Sequence, residues 1–448
     1  MAALRIHALQ ERLRALGAPR HCWVAYSGGL DSHVLLHALA GLNGQGFFVR
    51  AVHVDHGLHP DSAAWAEHCR VTAEALGVSC EVRRVAVAPD GEGLEAAARE
   101  ARHAVFEELL GAGEALLTAH HAEDQAETLL LHLLRGSGVE GLAGIPAARA
   151  CGAGRLLRPL LGFSRAGLRA YAEAAGLRWL EDPSNADQGL DRNYLRATVW
   201  PRLRARWPGA AARFGVVAAQ AEEASGLLAE LAEQDLASDW EGSRLSVARL
   251  AALSDARRRN ALRHWLREKG LRPPPRRRLA QGLVDLLGAR GDAAPTLCWA
   301  DGSLRRFRGR LYLLPPALAP VPTQEWAWDG ESALVWPGIG RLSVTTGPGP
   351  TSGPGPGLGA GLSPAAVRGC RLVWRFRRGG ERIRLPGRDH HSALKGLLHE
   401  RGLPPWERER LPLLFADGEL IAVADLWLAD GAQAAPGEGG LSLRWEPA

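Results

Sequence analysis

Through the first 140 residues, short unbroken apolar runs alternate with stretches whose apolar positions recur every three or four residues. The runs predict strands at 21–26, 47–54, 80–87 and 114–119, and the periodic stretches predict helices at 31–41, 61–76, 94–111 and 122–134. Strands that are apolar throughout, set between amphipathic helices, imply a doubly wound α/β domain with a parallel sheet covered on both faces. Ligands of such sheets sit beyond the carboxyl ends of the strands. Three polar segments fall there: Ser27 to Ser32, His53-Val54-Asp55-His56 and Ala119-His120-His121.

Downstream, 164 to about 290 reads as helical, with Ala- and Leu-rich stretches at 209–237 and 254–269. The run Leu271-Arg272-Pro273-Pro274-Pro275-Arg276-Arg277-Arg278 is a stiff basic break, and short strands follow at 297–314. Residues 346–361 are Gly/Pro-rich and have no means of building a core. Strands around one helix occupy 370–445. The expected organisation is an α/β parallel-sheet domain over 1–210, a mainly helical domain over 211–320, a linker region with short strands over 321–369, and a small α+β domain over 370–448.

A chain of 448 residues suits two to three domains, and 46% apolar with 23% charged residues is the composition of a soluble globular protein. No apolar run approaches membrane-spanning length. Leu4 to Leu16 alternates charged with apolar residues and reads as a surface helix rather than a signal peptide, so a cytoplasmic location is expected. Six cysteines lie scattered without C-x-x-C or Cys/His pairing, which argues against disulfides, structural zinc and an iron–sulfur cluster. The net charge of +5 fits an anionic partner without demanding one. Of 54 basic residues only Lys269 and Lys395 are lysine, and only four asparagines occur. In that background a lysine or asparagine is less often a filler residue.

Ser27-Gly28-Gly29-Leu30-Asp31-Ser32 joins the first apolar run to the first helix. Glycines let backbone N–H groups crowd around an oxyanion, the helix start adds its positive dipole end, and Ser27 and Ser32 add hydroxyl donors. Asp31 is the odd member. A carboxylate beside phosphate is repulsive unless a cation lies between them, which points to Mg²⁺. A Gly-Lys-Ser/Thr ending is absent, so this is no Walker loop. The hexapeptide resembles the SGGxDS pyrophosphate loop of the ATP pyrophosphatases, which implies ATP bound by Ser27, Gly28, Gly29, Leu30, Asp31 and Ser32. The plain alternative is a Gly-rich turn with a helix cap.

Other segments carry weaker signals. His53 and Asp55 share a face at the end of the second strand, near the loop. Glu95, Arg99 and Arg102 form one stripe of a helix, which spacing alone reads as a solvated face. In Thr118-Ala119-His120-His121-Ala122-Glu123-Asp124-Gln125-Ala126-Glu127-Thr128, polar residues crowd a strand-to-helix junction before the apolar Leu129-Leu130-Leu131. His120 is placed to act on protons near neutral pH, and Asp124 to share Mg²⁺ with Asp31. Glu181-Asp182-Pro183-Ser184-Asn185 and Asp191-Arg192-Asn193-Tyr194-Leu195-Arg196 read as a turn and a capped helix start. Between 371 and 410 there are eleven Lys/Arg against five Asp/Glu, an excess of +6. That suits backbone contacts to nucleic acid, or an Arg-rich face in an Arg-rich protein.

Together these segments resemble the tRNA(Ile)-lysidine synthetase family over essentially the whole chain. The loop alone indicates an ATP pyrophosphatase; the His120–Thr128 segment and the RRGGERI…LK…GLPPWERERLPLL unit narrow it. The resemblance implies a PP-loop catalytic domain followed by two tRNA-binding domains. It implies adenylation of C2–O of the wobble cytidine (position 34) in the CAU-anticodon isoleucine tRNA, then displacement of AMP by free L-lysine. It further implies Asp31, His120 and Asp124 as catalytic residues, Mg²⁺ on Asp31 and Asp124, and ATP contacts extending to His53. Arg99, Arg102, Arg192, Asn193, Arg196, Arg378, Arg382 and Lys395 would contact the substrate or the tRNA. A thiolase would carry C-x-x-C cysteines and an amidotransferase a glutaminase domain, and neither occurs. A tRNA-binding protein with ATP as a structural ligand is the reading from outside enzymology.

Overall fold

The computed structural model describes residues 4–87, 93–181, 189–237, 244–290, 295–348, 361–435 and 438–448. The chain forms two compact units, Met1–Glu230 and Leu231–Ala448.

The first unit opens with α1 (Ile6–Ala15) and then alternates β1 (His21–Ala25), α2 (Leu30–Ala40), β2 (Phe48–Asp55), α3 (Ser62–Ala75), β3 (Cys80–Arg84), α4 (Leu94–Leu109), β4 (Glu114–Leu117) and α5 (Ala122–Leu134). After α6 (Val139–Leu142), a hairpin of β5 (Ala148–Cys151) and β6 (Gly154–Leu157) extends the sheet. Next come α7 (Arg165–Ala174), α8 (Asp191–Tyr194), a π-turn over Leu195–Val199, α9 (Trp200–Arg206) and α10 (Ala210–Leu236), whose last residues belong to the second unit.

Strand order is β3-β2-β1-β4-β6-β5, parallel except for β5. Alternation along β1 explains why the strand is apolar throughout. Cys22 and Val24 enter one core with Leu9, Leu35, Cys69 and Leu168, whereas Trp23 enters a second with Val52, Phe106 and Leu116. Both faces of the sheet are therefore buried. The chain moves outward through β1, β2 and β3 and then returns to place β4 on the other side of β1. This reversal is a topological switch point, where open α/β sheets bind ligands. The turns after β1 and β4 flank it, and they carry the Ser27–Ser32 loop and the His120-His121 pair.

In the second unit, β7 (Arg244–Ser246), α11 (Val247–Ala252), α12 (Asp255–Glu268), α13 (Arg276–Gly288), β8 (Thr296–Cys298), β9 (Ser303–Phe307) and β10 (Arg310–Leu314) form one module. Its antiparallel sheet, ordered β7-β10-β9-β8, packs with the helices around Leu262, Trp265, Leu279 and Leu304. The middle region is thus helices on a small sheet.

The last module contains β11 (Trp326–Ala327), β12 (Leu334–Trp336), β13 (Gly340–Pro348), α14 (Pro364–Val367), β14 (Leu372–Arg375), β15 (Arg382–Ile383), β16 (Ser392–Ala393), α15 (Leu394–Glu400), α16 (Pro405–Arg408), β17 (Leu413–Ala416), β18 (Glu419–Val423), β19 (Trp427–Leu428) and β20 (Gly439–Pro447). Strand β13 pairs with β20, and β11 with β14. One core accordingly runs from Trp328 to Leu443, across the expected boundary at 370. Residues 349–360 of the Gly/Pro segment lie outside the described residues. Among the described residues, no helix is long and apolar enough to cross a membrane.

Candidate active site

The loop after β1 is shaped by its own hydroxyls. Ser32 Oγ accepts from the Ser27 amide at 3.2 Å, lies 3.0 Å from Ser27 Oγ, and donates to the Gly29 carbonyl at 3.0 Å. Gly28 has φ +81°, and a Cβ there would meet Leu180 Cδ1 at 2.8 Å and Cys69 Sγ at 2.9 Å. Only glycine fits that backbone and that space. Gly29 caps α2 without a side-chain partner, which leaves the first amides of the helix facing the switch point.

Asp31, in the first turn of α2, reaches across to the turn after β4. Its Oδ2 lies 3.6 Å from His121 Nε2 and 4.0 Å from Arg165 Nε, while its Oδ1 is buried without a partner. His121, 1% exposed, also stands 3.3 Å from Glu123 and 3.5 Å from Asp124. Burial alone would pull its pKa down, but hydrogen bonds that it donates to Asp31 and Glu123 and the charge of Asp124 carry it up to about 10. His121 is an imidazolium holding three carboxylates. Its backbone N–H donates to Asp124 Oδ2 at 3.0 Å, which caps α5.

A histidine held charged in this way stabilises the fold fully below its unfolded pKa of about 6.5, and that contribution is lost as pH rises towards 10. Thermal unfolding of the protein is therefore expected to shift downward between pH 7 and 10. His121→Gln should flatten that limb, and an equally steep limb in the variant would refute the assignment.

Asp124 and Glu127 sit three residues apart on α5, and Arg192 and Arg196 four apart across α8 and the π-turn, so the two pairs interleave. Arg192 Nη2 and Arg196 Nη2 each donate to Asp124 Oδ1 at 3.0 Å. Arg192 Nε donates to Glu127 Oε2 at 3.1 Å, and Arg196 Nε to Glu127 Oε1 at 3.0 Å. Burial would raise the Asp124 pKa, but His121 and Arg192 hold it down at about 2.

His120 differs from the expectation of a group titrating near neutrality. Burial, with Arg158, Arg192 and Arg102 nearby, lowers its pKa to about 4 despite the opposing charge of Asp124. It is a neutral imidazole, with Nδ1 2.9 Å from the Thr118 hydroxyl. His53 is buried and donates through Nδ1 to the Tyr26 carbonyl at 2.9 Å, directly before the phosphate loop. Arg102 is exposed on α4, and its charge adds to the lowering of the pKa values of His56, His103 and His120; Arg99 is exposed on the same helix. Asn193 is half-buried on α8. Residues Asp182 to Asn185 of the turn before it lie outside the described residues.

In the second unit the expected tRNA contacts separate. Arg378 is engaged by Glu325 at 2.9 Å and by the Thr323 carbonyl at 2.8 Å, and Arg382 by the His391 carbonyl at 2.7 Å. Lys395 is exposed on α15. The Arg378-Gly379 turn folds back on buried Glu381, whose Oε1 accepts from both backbone amides.

Asp31 suits Mg²⁺ in one respect: it presents a hard carboxylate oxygen, Oδ1, that nothing else uses. Asp124 has both oxygens committed, to two arginines and to the helix cap. Among the described residues, no group of three or more His, Cys, Asp or Glu side chains is arranged to hold a metal, so a bound Mg²⁺ would rely on phosphate oxygens and water. Sequence reading passed over His121, Glu123 and Glu127. For Glu127 a signal existed, since it follows Asp124 by three residues on the same helical face.

A parallel sheet with this loop at its switch point defines a PP-loop, ATP-using enzyme. Residues 4–203 match the PP-loop domain family, 245–312 the TilS substrate binding domain and 372–445 the TilS substrate C-terminal domain. Similar proteins include the tRNA(Ile)-lysidine synthase of Alkalilimnicola ehrlichii, 50% identical over 434 residues (96% of this chain, 95% of that one). That of Methylococcus capsulatus is 41% identical over 430 residues (95% and 96%), and that of Pseudomonas aeruginosa 44% over 438 (95% and 93%). The chain belongs to the tRNA(Ile)-lysidine synthetase family.

Proposed function

We propose that the protein ligates L-lysine to C2 of cytidine 34 in the isoleucine tRNA with a CAU anticodon, through an adenylated tRNA intermediate. The cytosine O2 attacks the α-phosphorus of ATP and pyrophosphate leaves. The lysine ε-amine then attacks C2, AMP departs with the O2 oxygen, and the amine loses a proton. The observation that carries this reading is the meeting of Asp31 with the His121–Asp124–Glu127 cluster at the switch point. The Ser27–Ser32 loop would hold the β,γ-phosphates, and Mg²⁺ held by Asp31 would offset charge as the α–β bond breaks; Asp124, the next carboxylate on His121, would join it only by giving up an arginine or the helix cap. Apart from the reacting ε-amine, lysine carries an α-ammonium and a carboxylate, and the alternating Asp124, Glu127, Arg192 and Arg196 side chains offer a partner for each. The target base must leave its stack to reach such a site, which suits an anticodon loop.

Neutral His120 has no partner on Nε2 among the described residues and is placed to receive the amine proton. His120→Ala is expected to lower lysine transfer by about 10²–10⁴-fold while tRNA adenylation persists. Wild-type transfer at saturating substrates would remove His120 from the mechanism. The proposal as a whole is tested by incubating the protein with labelled lysine, ATP and CAU-anticodon tRNA transcript. Label is expected on the tRNA, with pyrophosphate release that depends on tRNA. ATP bound without any turnover would indicate a structural ligand and overturn the reading.

Charge concentrated in the last module should serve tRNA affinity. A chain ending at residue 318, which removes the whole Trp328–Leu443 core, is expected to bind tRNA more weakly at low salt. Its dependence of log affinity on log salt should also be shallower, because fewer phosphates are neutralised. An unchanged slope would make these arginines a solvated face.

A further inference from the structure

Three helices begin around the switch point. Helices α2 and α5 follow β1 and β4, and α7 follows β6, the next strand of the parallel sheet. Leu168 and Ala172 of α7 enter the core that holds Leu35 and Leu39 of α2, and the Tyr171 hydroxyl lies 3.0 Å from His37 Nδ1. The two helices therefore run side by side from the same end of the sheet. Ser164, 3% exposed, caps α7 by accepting from the Gly167 amide at 3.1 Å. The Phe163 carbonyl accepts from the Ala122 amide at 2.9 Å, and the Arg165 amide donates to Glu123 Oε2 at 2.8 Å. The main chain at Arg165 is thus fixed to the start of α5.

Its side chain is not fixed in the same way. It is 47% exposed, and its Nε stands 4.0 Å from Asp31 Oδ2, beyond hydrogen-bond reach. Among the described residues the Arg165 guanidinium makes no hydrogen bond. A cation in the first turn of a helix lies at the positive end of the dipole, against the local preference. The Ser27–Ser32 loop, for its part, brings a carboxylate and no cation, although a triphosphate carries several negative charges. Other cations around Asp31 and Asp124 are committed: His121 to three carboxylates, and Arg192 and Arg196 to Asp124 and Glu127. Arg165 supplies what the loop lacks.

Resting on the ATP chemistry proposed above, we propose that Arg165 is a further catalytic residue, which grips the β- and γ-phosphates and carries the charge of the departing pyrophosphate. When cytosine O2 bonds to the α-phosphorus, the bond from that phosphorus to the bridging oxygen breaks, and the electron pair leaves with pyrophosphate. A fork of N–H donors suits the oxygens that gain this charge. Asp31 Oδ2 keeps the guanidinium beside the loop through a contact weak enough to exchange for phosphate oxygens.

The test reads binding first, in the absence of tRNA. Affinities of the full-length protein for ATP, pyrophosphate and AMP are measured by calorimetry in the presence of Mg²⁺. Arg165→Gln is expected to weaken ATP and pyrophosphate by about tenfold or more, and to leave AMP within about twofold. At saturating ATP, tRNA-dependent pyrophosphate release should fall by about 10²–10³-fold. Arg165→Lys, which keeps the charge without the fork, should recover part of both losses. The main-chain bond to Glu123 survives either substitution, and the melting curve reports the fold. Should neither variant fold, the wild type carries the test. Phenylglyoxal modification of Arg165, followed by peptide mass spectrometry, should slow when pyrophosphate is bound and not when AMP is. Equal losses for ATP and AMP, an unchanged affinity for pyrophosphate, or modification unslowed at saturating pyrophosphate overturns the assignment and leaves Arg165 an exposed neighbour of Asp31. The two claims fail separately: without labelled lysine on tRNA the proposed function falls, whereas the ratio of ATP to AMP affinity judges Arg165 alone.

Discussion

Asp31→Asn is expected to abolish tRNA-dependent pyrophosphate release, with a loss of about 10³-fold or more, and to leave tRNA affinity close to wild type. Asparagine keeps the volume and one carbonyl oxygen but removes the charge. The unpartnered Oδ1 then no longer offers a full charge to a cation beside the phosphates. His121 also loses one of its three carboxylates, so part of its hold on the Asp124 side of the site goes with it. The chain's excess of basic residues, proposed above to hold tRNA, lies in the unit Leu231–Ala448, so affinity should not follow. Equal loss of tRNA binding and pyrophosphate release would point to a collapsed domain. Near-normal release would remove Asp31 from the chemistry.

The parts of this fold that were legible were those written in local pattern. Strand β1 declared itself because Cys22, Trp23 and Val24 are all buried, on two faces at once. The hairpin β5–β6 was not visible, because its strands are four residues long and include Arg149 and Arg155, so neither run nor alternation develops. The boundary at 370 was drawn from the Gly/Pro segment. Strand β13 before it nevertheless pairs with β20 over nine residues, a contact between positions about a hundred apart that no local pattern carries.

At the site the same division holds. The Ser27–Ser32 loop is contiguous and could be read whole. For the adjacent histidines, only the three-dimensional turn decides that His121 faces Asp31 and becomes charged, while His120 faces Thr118 and stays neutral. Arg192 and Arg196 were legible as a helical pair, but not as partners of Asp124 and Glu127, which lie some seventy residues earlier.

Glu127→Ala should cost both stability and substrate. Its side chain is 1% exposed and accepts from two guanidiniums, so truncation leaves Arg192 and Arg196 to share Asp124 alone. Breaking a buried pair in this way costs about 3–5 kcal/mol when the remaining charge stays buried. Here the arginine side chains are 33% and 28% exposed and can turn partly to water, so the lower end of that range is expected. In a unit of this size that corresponds to a fall in melting temperature of roughly 6–12 °C. Arg196→Ala in the same chain should recover part of the loss, because the orphaned charge is removed, giving a coupling energy of about 1–3 kcal/mol in a double-mutant cycle. A purely structural ladder would stop there. If the alternating charges also receive lysine, Glu127→Gln, which keeps the shape and one of the two accepting oxygens, should fold yet raise the KM for lysine by about tenfold or more while leaving the KM for ATP nearly unchanged. An additive cycle would show that the ladder is not coupled, and an unchanged lysine KM in Glu127→Gln would confine Glu127 to holding α8 against α5.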